Sequence, residues 1–199
     1  MKKTFITAAI MAIVLLASAQ VVSSYQSIGE QYDIQVSEWE VKIGTADGDM
    51  FNKNRKCVIP ITDIDTFVGQ LKMVKAKYIE WERVAKENNI TTDIVKIMPE
   101  LPQPIRAYLE WDFANETYRT STKVEIGALY INKEKYSAIA IMLVGEPPES
   151  ASNQFIRYEG AAVLMFLGAD EIQSLIDGLD KNRINKHITD KQQIDGLFK

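Results

Sequence analysis

The sequence has one cysteine, Cys57, and one histidine, His187, among its 199 residues. A single cysteine cannot form an internal disulfide, and one cysteine with one histidine cannot supply the four ligands of a typical zinc site. A cysteine nucleophile needs a basic partner, and nothing in the sequence ties His187 to Cys57. Because Cys57 begins the apolar run 57–61, we expect it to be a buried core residue.

Phosphate-binding and nucleophile-elbow motifs are also missing. No Gly-rich loop of the Walker or dinucleotide-binding type precedes a predicted helix, and no Gly-x-Ser-x-Gly occurs. Asp47 and Asp49 resemble only part of a calcium loop, and Asp63 with Asp65 is better explained by capping at a helix start. The sequence therefore predicts no metal site, no cofactor and no catalytic site of these kinds, and no motif assigns the chain to a family.

The N-terminus has the three parts of a secretory signal peptide. Lys2 and Lys3 are followed by the uncharged, apolar residues 4–16 and by Ala17-Ser18-Ala19. We expect cleavage between Ala19 and Gln20, with Ala17 and Ala19 as the small residues of the site. The apolar run is short for a transmembrane helix, which needs about 20 residues. The alternative is an uncleaved anchor. The protein is thus predicted to be exported, periplasmic or secreted, with no transmembrane segment after cleavage.

Charge argues against two classes of partner. The chain has 23 basic and 27 acidic residues, and loss of Lys2 and Lys3 with the signal peptide leaves 21 and 27, a formal net charge of −6. A nucleic-acid-binding protein usually carries a basic stripe, and anionic membranes attract basic segments. We therefore expect no nucleic-acid partner and no general attraction to membranes.

The remaining sequence predicts an α+β fold. We expect a flexible leader over residues 20–33 and a single domain over 34–199, whose sub-halves 34–98 and 106–199 are joined by the proline-rich segment 99–104. The architecture predicted is a largely antiparallel sheet of five to seven strands, with one long and one shorter helix packed on a face. A strand-then-helix pattern in each half suggests a duplication, although ordinary α/β packing gives the same pattern.

Hydrophobic spacing locates the main elements. Strands are predicted at 34–44, with Trp39 on the same face as Val41 and Ile43, and at 56–61 as its hairpin partner. A long helix should start at an N-cap on Thr62 and reach about residue 87. Further strands are predicted at 106–113, 121–131, 135–144 and 160–167, followed by a helix at 170–180.

Two strands, 135–144 and 160–167, are apolar on both faces. Such strands need cover on both sides of the sheet. The two helices can cover one side, and the other needs the first hairpin, a partner or a second copy. We therefore predict self-association or binding to an unknown protein partner.

A pair of carboxylates gives an alternative function. Glu110 and Asp112 lie two apart on a predicted strand and point the same way, beside Tyr108, as Glu38 and Glu40 also do. Two carboxyl groups could hydrolyse a carbohydrate or cell-wall polymer. Trp111 points to the opposite face, and the simpler interpretation is a solvated strand face.

The leading functional prediction is an exported, non-enzymatic protein that binds a partner or assembles, in a style typical of small exported bacterial proteins. A hydrolase is the alternative. A third possibility is a carrier of a small apolar ligand, with a cavity between the sheet and the long helix.

Overall fold

A computed structural model of the chain describes residues 19–45, 55–98, 105–113, 116–120, 125–144 and 161–197. Within them the fold has two antiparallel sheets and three helices, which confirms the predicted α+β class. The strands are β1 (Gln20–Ser27), β2 (Glu30–Val36), β3 (Glu40–Gly44), β4 (Lys56–Pro60), β5 (Ile94–Ile97), β6 (Tyr108–Phe113), β7 (Glu116–Arg119), β8 (Glu125–Lys133), β9 (Tyr136–Val144) and β10 (Ala161–Phe166). The helices are α1 (Ile64–Glu87), α2 (Ala169–Gly178) and α3 (Lys181–Gly196).

The strands divide into a six-stranded first sheet, ordered β1-β2-β3-β4-β6-β7, and a four-stranded second sheet, ordered β10-β9-β8-β5. The proline-rich segment does not separate the two sheets in the sequence, because β5 joins the second sheet and β6 and β7 join the first. The segment 99–104 itself lies outside the described residues, and the duplication stays a prediction.

One face of each sheet, together with helices α1 and α2, forms a common hydrophobic core. Helix α1 is the predicted long helix, and its stripe of residues at three- and four-residue spacing is buried (Ile64, Phe67, Leu71, Val74, Tyr78 and Ala85). Tyr78 and Trp81 of α1 pack their rings against Tyr130 on the inner face of the second sheet. The outer face of each sheet is the one turned away from this core.

The predicted flexible leader over residues 20–33 is wrong, because these residues form β1 and most of β2. A register shift between Val21 and Ser23 breaks the alternation of β1, which hides the strand in the sequence. In β1, two serine hydroxyls make contacts with distant parts of the fold that apolar side chains would make in a more regular strand. Ser23 donates to the Gly178 carbonyl at 2.7 Å, and Ser27 donates to the carbonyl of Met165.

Two local predictions also need correction, and one helix was not predicted. The predicted strand 34–44 is interrupted by a turn at residues 37–39, and Trp39 is 76 % exposed instead of sharing the core face. Helix α1 is entered through a 3-10 turn, Ile61–Asp63, and Thr62 does not cap it. The polar residues after 180 form α3, whose N-cap Asp180 accepts a hydrogen bond from the Arg183 amide at 2.8 Å.

Candidate functional site

The predicted carboxylate pair occupies the outer face of the first sheet, on β6. Asp112 is exposed and accepts a hydrogen bond from the Thr117 hydroxyl at 2.7 Å. Glu110 is only 5 % exposed, so the expectation of a solvated strand face is wrong for this residue. The two carboxyl groups therefore lie in different environments.

Glu110 belongs to a cluster of four charged residues, Glu40, Lys42, Glu110 and Arg119, which we call the ion cluster. The Lys42 ammonium lies 2.6 and 2.9 Å from the two oxygens of Glu110. Arg119 donates to Glu110 at 2.7 Å and makes a two-pronged contact with Glu40 at 2.8 and 2.9 Å. Two carboxylates and two cations balance, so the cluster is close to neutral.

The electrostatics of Glu110 suit a structural role. Burial raises the pKa of its carboxyl group, but the hydrogen bonds from Arg119 and Lys42 outweigh burial, and the pKa lies below its usual value. The hydrogen bonds from Arg119 to Glu40 and Glu110 raise the pKa of the guanidinium despite its partial burial. A general acid in glycoside hydrolysis needs a raised pKa. The pKa of Glu110 shifts in the opposite direction.

Glu38 and Glu40 do not form a second pair on one strand, since β3 begins at Glu40. Glu38 lies in the preceding turn, is exposed, and accepts a hydrogen bond from Gln192 at 3.2 Å. The Glu40 carboxylate accepts two hydrogen bonds from the Arg119 guanidinium. Neither residue has the environment of a catalytic carboxylate.

Cys57 lies on the core face of β4 and is fully buried, as expected from the apolar run around it. Burial raises the pKa of its thiol to about 12. His187 lies on α3, and its Nε2 has no hydrogen-bond partner in the described part of the chain. No contact joins the two side chains among the described residues, so nothing there supports nucleophilic chemistry.

The four aspartates considered from sequence as calcium ligands or helix caps have other partners or lie outside the described residues. Asp47 and Asp49 are outside the described residues. Asp63 binds the Arg106 guanidinium at 2.7 Å, and Asp65 accepts from Lys181. Among the residues that the structure describes, no three His, Cys, Asp or Glu side chains come together as a metal site requires.

A polar cleft of about 460 Å³ lies where the end of α1 meets the β8–β9 hairpin. In it, the Ser137 hydroxyl donates to Glu82 at 2.9 Å and lies 2.8 Å from the Tyr78 hydroxyl. Burial raises the pKa of Tyr78 to about 12. Lys86 and Lys135 also line the cleft. Because charged and polar side chains make up most of this lining, the cleft does not resemble the apolar ligand cavity that was considered as a third possibility from the sequence. The lining residues come from two distant parts of the chain, so they form no sequence motif.

The outer face of the second sheet has a different character. Strand register places on it a set of residues that we call the apolar face: Val95, Ile97, Gly127, Leu129, Ile131, Ala138, Ala140, Met142, Val163 and Met165. None of them belongs to the common core. Val95 and Ile97 on the edge strand are 62 % and 76 % exposed. No residue of this set carries a charge, although the same register places Lys133 of β8 on this face at one end of the set. Ala138 and Ala140 are only 0 % and 4 % exposed, so the set is open to solvent mainly at its β5 edge.

The outer faces of the two sheets thus differ in whether their side chains have partners within the chain. In the first sheet the ion cluster pairs its charges internally and lies beside Val58, which is fully buried although it is outside the core. In the second sheet apolar side chains occupy four neighbouring strands. Contiguous exposed apolar patches of several hundred Å² are rare on monomers and commonly mark interaction sites. We therefore take the apolar face as the candidate binding surface.

None of the described helices combines the length and apolar composition needed to span a membrane. Comparison of the chain with known protein families, with curated proteins and with solved structures finds no match.

Proposed function

We propose that the protein is exported and non-enzymatic, and that it binds a protein partner or assembles through the apolar face of its second sheet. The observation that carries this proposal is a set of ten uncharged residues on one face of β5, β8, β9 and β10, with Ile97 and Val95 strongly exposed at its edge. Burying such a face removes apolar surface from water at about 25 cal/mol per Å².

The export half of the proposal rests on residues 1–19. Strand β1 begins at Gln20, so cleavage after Ala19 would remove no residue of the first sheet. The measurement is the intact mass or N-terminal sequence of the protein made by its natural host. A start at Gln20 is expected, and a chain that retains Met1 at a cytoplasmic location would refute export.

The binding half predicts that the β5 edge of the apolar face, where Val95 and Ile97 are exposed, is open to solvent in the monomer. We expect an environment-sensitive hydrophobic dye to bind the protein at dilutions where sedimentation shows a monomer. Ile97→Lys should weaken that binding severalfold because it places a charge within the face. Trp39→Lys is the matched control, since Trp39 is equally exposed at 76 % but lies in the turn between β2 and β3. Equal dye binding by the wild type and Ile97→Lys would refute an open apolar face.

Hydrolysis through Glu110 and Asp112 remains the alternative. It draws little support from the geometry, because Glu110 is held by Lys42 and Arg119 while Asp112 is exposed.

A further inference from the structure

We propose that the polar cleft between the end of α1 and the β8–β9 hairpin binds a small hydroxylated carboxylate, the chemistry of a sugar acid. None of the residues that line the cleft belongs to the apolar face, so this site is independent of the proposed binding to a protein partner. Three features support it: a preformed cleft, an excess of positive charge in its lining, and a buried hydroxyl group without a partner behind its floor.

The two walls of the cleft are fixed by hydrogen bonds within the chain. On one side the chain leaves α1 through Asn89, whose φ of 49° is in the left-handed region. On the other side Lys135 lies in the tight turn between β8 and β9. The amide group of Asn132, which is only 8 % exposed, donates to the carbonyls of Ile90 and Thr92 at 3.5 and 3.4 Å and joins the two sides. The cleft therefore exists before a ligand arrives, and its volume of about 460 Å³ is typical of small-molecule sites.

The lining of the cleft carries more positive than negative charge. Its charged residues are Glu82, Lys86 and Lys135. The Lys86 ammonium lies 3.4 Å from the Glu82 carboxylate, whereas no carboxylate of the described residues pairs with Lys135. The Glu82 carboxylate also accepts a hydrogen bond from the Ser137 hydroxyl at 2.9 Å, so it has little capacity left for a cationic ligand. The unbalanced positive charge favours an anion that carries one negative charge.

The end of α1 does not oppose such an anion, although a helix C-terminus carries partial negative charge on its open carbonyl groups. The carbonyls of residues 84, 85 and 86 all accept hydrogen bonds from backbone amides of residues 88–90. The ammonium of Lys86 in the last turn is therefore not offset by open carbonyl groups at these positions.

Neutral polar groups make up most of the remaining lining, from Asn89, Thr91, Asn132, Tyr136 and Ser137. A small inorganic anion would contact the lysines and leave most of these groups to water. A ligand that carries several hydroxyl groups beside its carboxylate bonds to both kinds of group, since a hydroxyl both donates and accepts. The lining therefore favours a sugar acid over phosphate or a simple carboxylate.

A buried hydroxyl group behind the floor of the cleft also points to a ligand. Asn132 and Ser137 are opposed on β8 and β9, and Tyr130 is the next residue of β8 on the same face. Tyr130 is 3 % exposed, and its hydroxyl has no hydrogen-bond partner in the described part of the chain. Burial, and then the nearby charge of Glu82, raises the pKa of Tyr130, which places this ring close to the cleft. Because buried hydroxyl groups are nearly always hydrogen-bonded, we expect this one to bond to the ligand or to a water molecule that the ligand holds.

The test is calorimetric titration of the purified protein with sodium glucuronate, a sugar that carries one carboxylate. Glucose has the ring without the charge, and acetate has the charge without the ring. We expect saturable binding of glucuronate and at least about tenfold weaker binding of glucose and of acetate. Absence of saturable glucuronate binding overturns the proposal, and so does glucose or acetate that binds as tightly as glucuronate.

Two lysine variants show whether the anion binds in the cleft. Lys135→Gln removes the ammonium that has no carboxylate partner and should weaken glucuronate binding at least about fivefold. Lys133→Gln is the matched control, because it removes the same charge from the same hairpin while Lys133 pairs with Asp93 and does not line the cleft. Equal weakening by the two substitutions would indicate general attraction of anions to the hairpin and would overturn the site.

Tyr130→Phe separates a contact with the ligand from a structural contribution. Removing a buried hydroxyl that has no partner should leave the melting temperature unchanged or raise it. Glucuronate binding should nevertheless weaken severalfold. Binding that neither Tyr130→Phe nor Lys135→Gln changes would place the ligand elsewhere on the protein and overturn the proposal.

Discussion

Replacing Glu110 with glutamine tests whether the ion cluster is structural. The substitution keeps the shape of the side chain but removes its charge, and it leaves one amide oxygen to serve both Lys42 and Arg119. The amide nitrogen must face one of these cations. Wild-type Glu110 accepts three hydrogen bonds of 2.6 to 2.9 Å from them and is 5 % exposed, so water cannot easily take its place.

The expected loss of stability depends on which hydrogen bonds Lys42 and Arg119 keep after the substitution. Removing one partner of a fully buried ion pair costs about 3–5 kcal/mol. Here Arg119 keeps its two-pronged contact with Glu40, and the side chains of Lys42 and Arg119 are 19 % and 37 % exposed. We therefore reduce the expected cost of Glu110→Gln to about 2 kcal/mol, the scale of a charged hydrogen bond left unmade. For a chain of this length that corresponds to roughly 4–8 °C in melting temperature.

The assay is urea unfolding followed by circular dichroism, with Asp112→Asn as the matched control. Asp112 is exposed on the same strand and contacts only Thr117 among the hydrogen bonds described, so its substitution should cost under about 0.5 kcal/mol. Equal effects of the two substitutions would refute the structural reading of the ion cluster. Loss of a polysaccharide hydrolase activity in both variants, without loss of stability, would favour the enzymatic alternative.

Three further predictions address other parts of the fold. A Cβ atom at Gly178 would lie 2.5 Å from the Ile34 δ-methyl, so Gly178→Ala should destabilise by about 1–3 kcal/mol and Ile34→Val, which removes that methyl, should restore most of the loss in chemical denaturation. Burial raises the pKa of Cys57 to about 12, so iodoacetamide should label it only as fast as the protein opens; labelling of native protein at the rate of a free thiol would contradict this. The hydrogen bond from Arg106 lowers the pKa of Asp63 to about 2. That pair stabilises the fold above about pH 4 and its contribution is lost as the pH falls toward 2, so Arg106→Gln should flatten the unfolding profile in that window alone.

The elements that could be predicted from the sequence are those whose burial follows a regular period. Helix α1 presents an uninterrupted three- and four-residue stripe, and β9 and β10 are continuous apolar runs. Such patterns depend only on the spacing of nearby residues, so they can be recognised without knowing which element packs against them.

Strand β1 and the environment of Glu110 could not be predicted because both depend on distant residues. Ser23 of β1 is held by the Gly178 carbonyl, 155 positions along the chain. Glu110 is neutralised by Lys42, 68 positions away, and by Arg119 on the next strand. From sequence alone, a serine or a glutamate in a strand is predicted to face solvent, because the distant group that forms a hydrogen bond or ion pair with it is not known.

A strand that is apolar on both faces needs cover on both sides of the sheet, and strand register identifies the face of β9 that lies outside the core. The inner face of β9 packs in the common core, and its outer face carries Ala138, Ala140 and Met142. The candidate surface was therefore half predictable. Which residues share that face across β8 and β9 depends on the register of the two strands, which only the structure supplies.

The edges of the second sheet disfavour open-ended assembly by strand addition. An exposed edge strand invites further strands, and proteins limit this with short edges and charged residues. Strand β5 has only four residues, and its Lys96 ammonium lies 4.6 Å from the centre of the Trp81 ring. At the other edge, the Met165 carbonyl of β10 accepts a hydrogen bond from Ser27 of β1. With both edges restrained in this way, the apolar face remains the surface of the second sheet available for association. Binding through this face, unlike addition at an edge, would leave no new edge for a further strand.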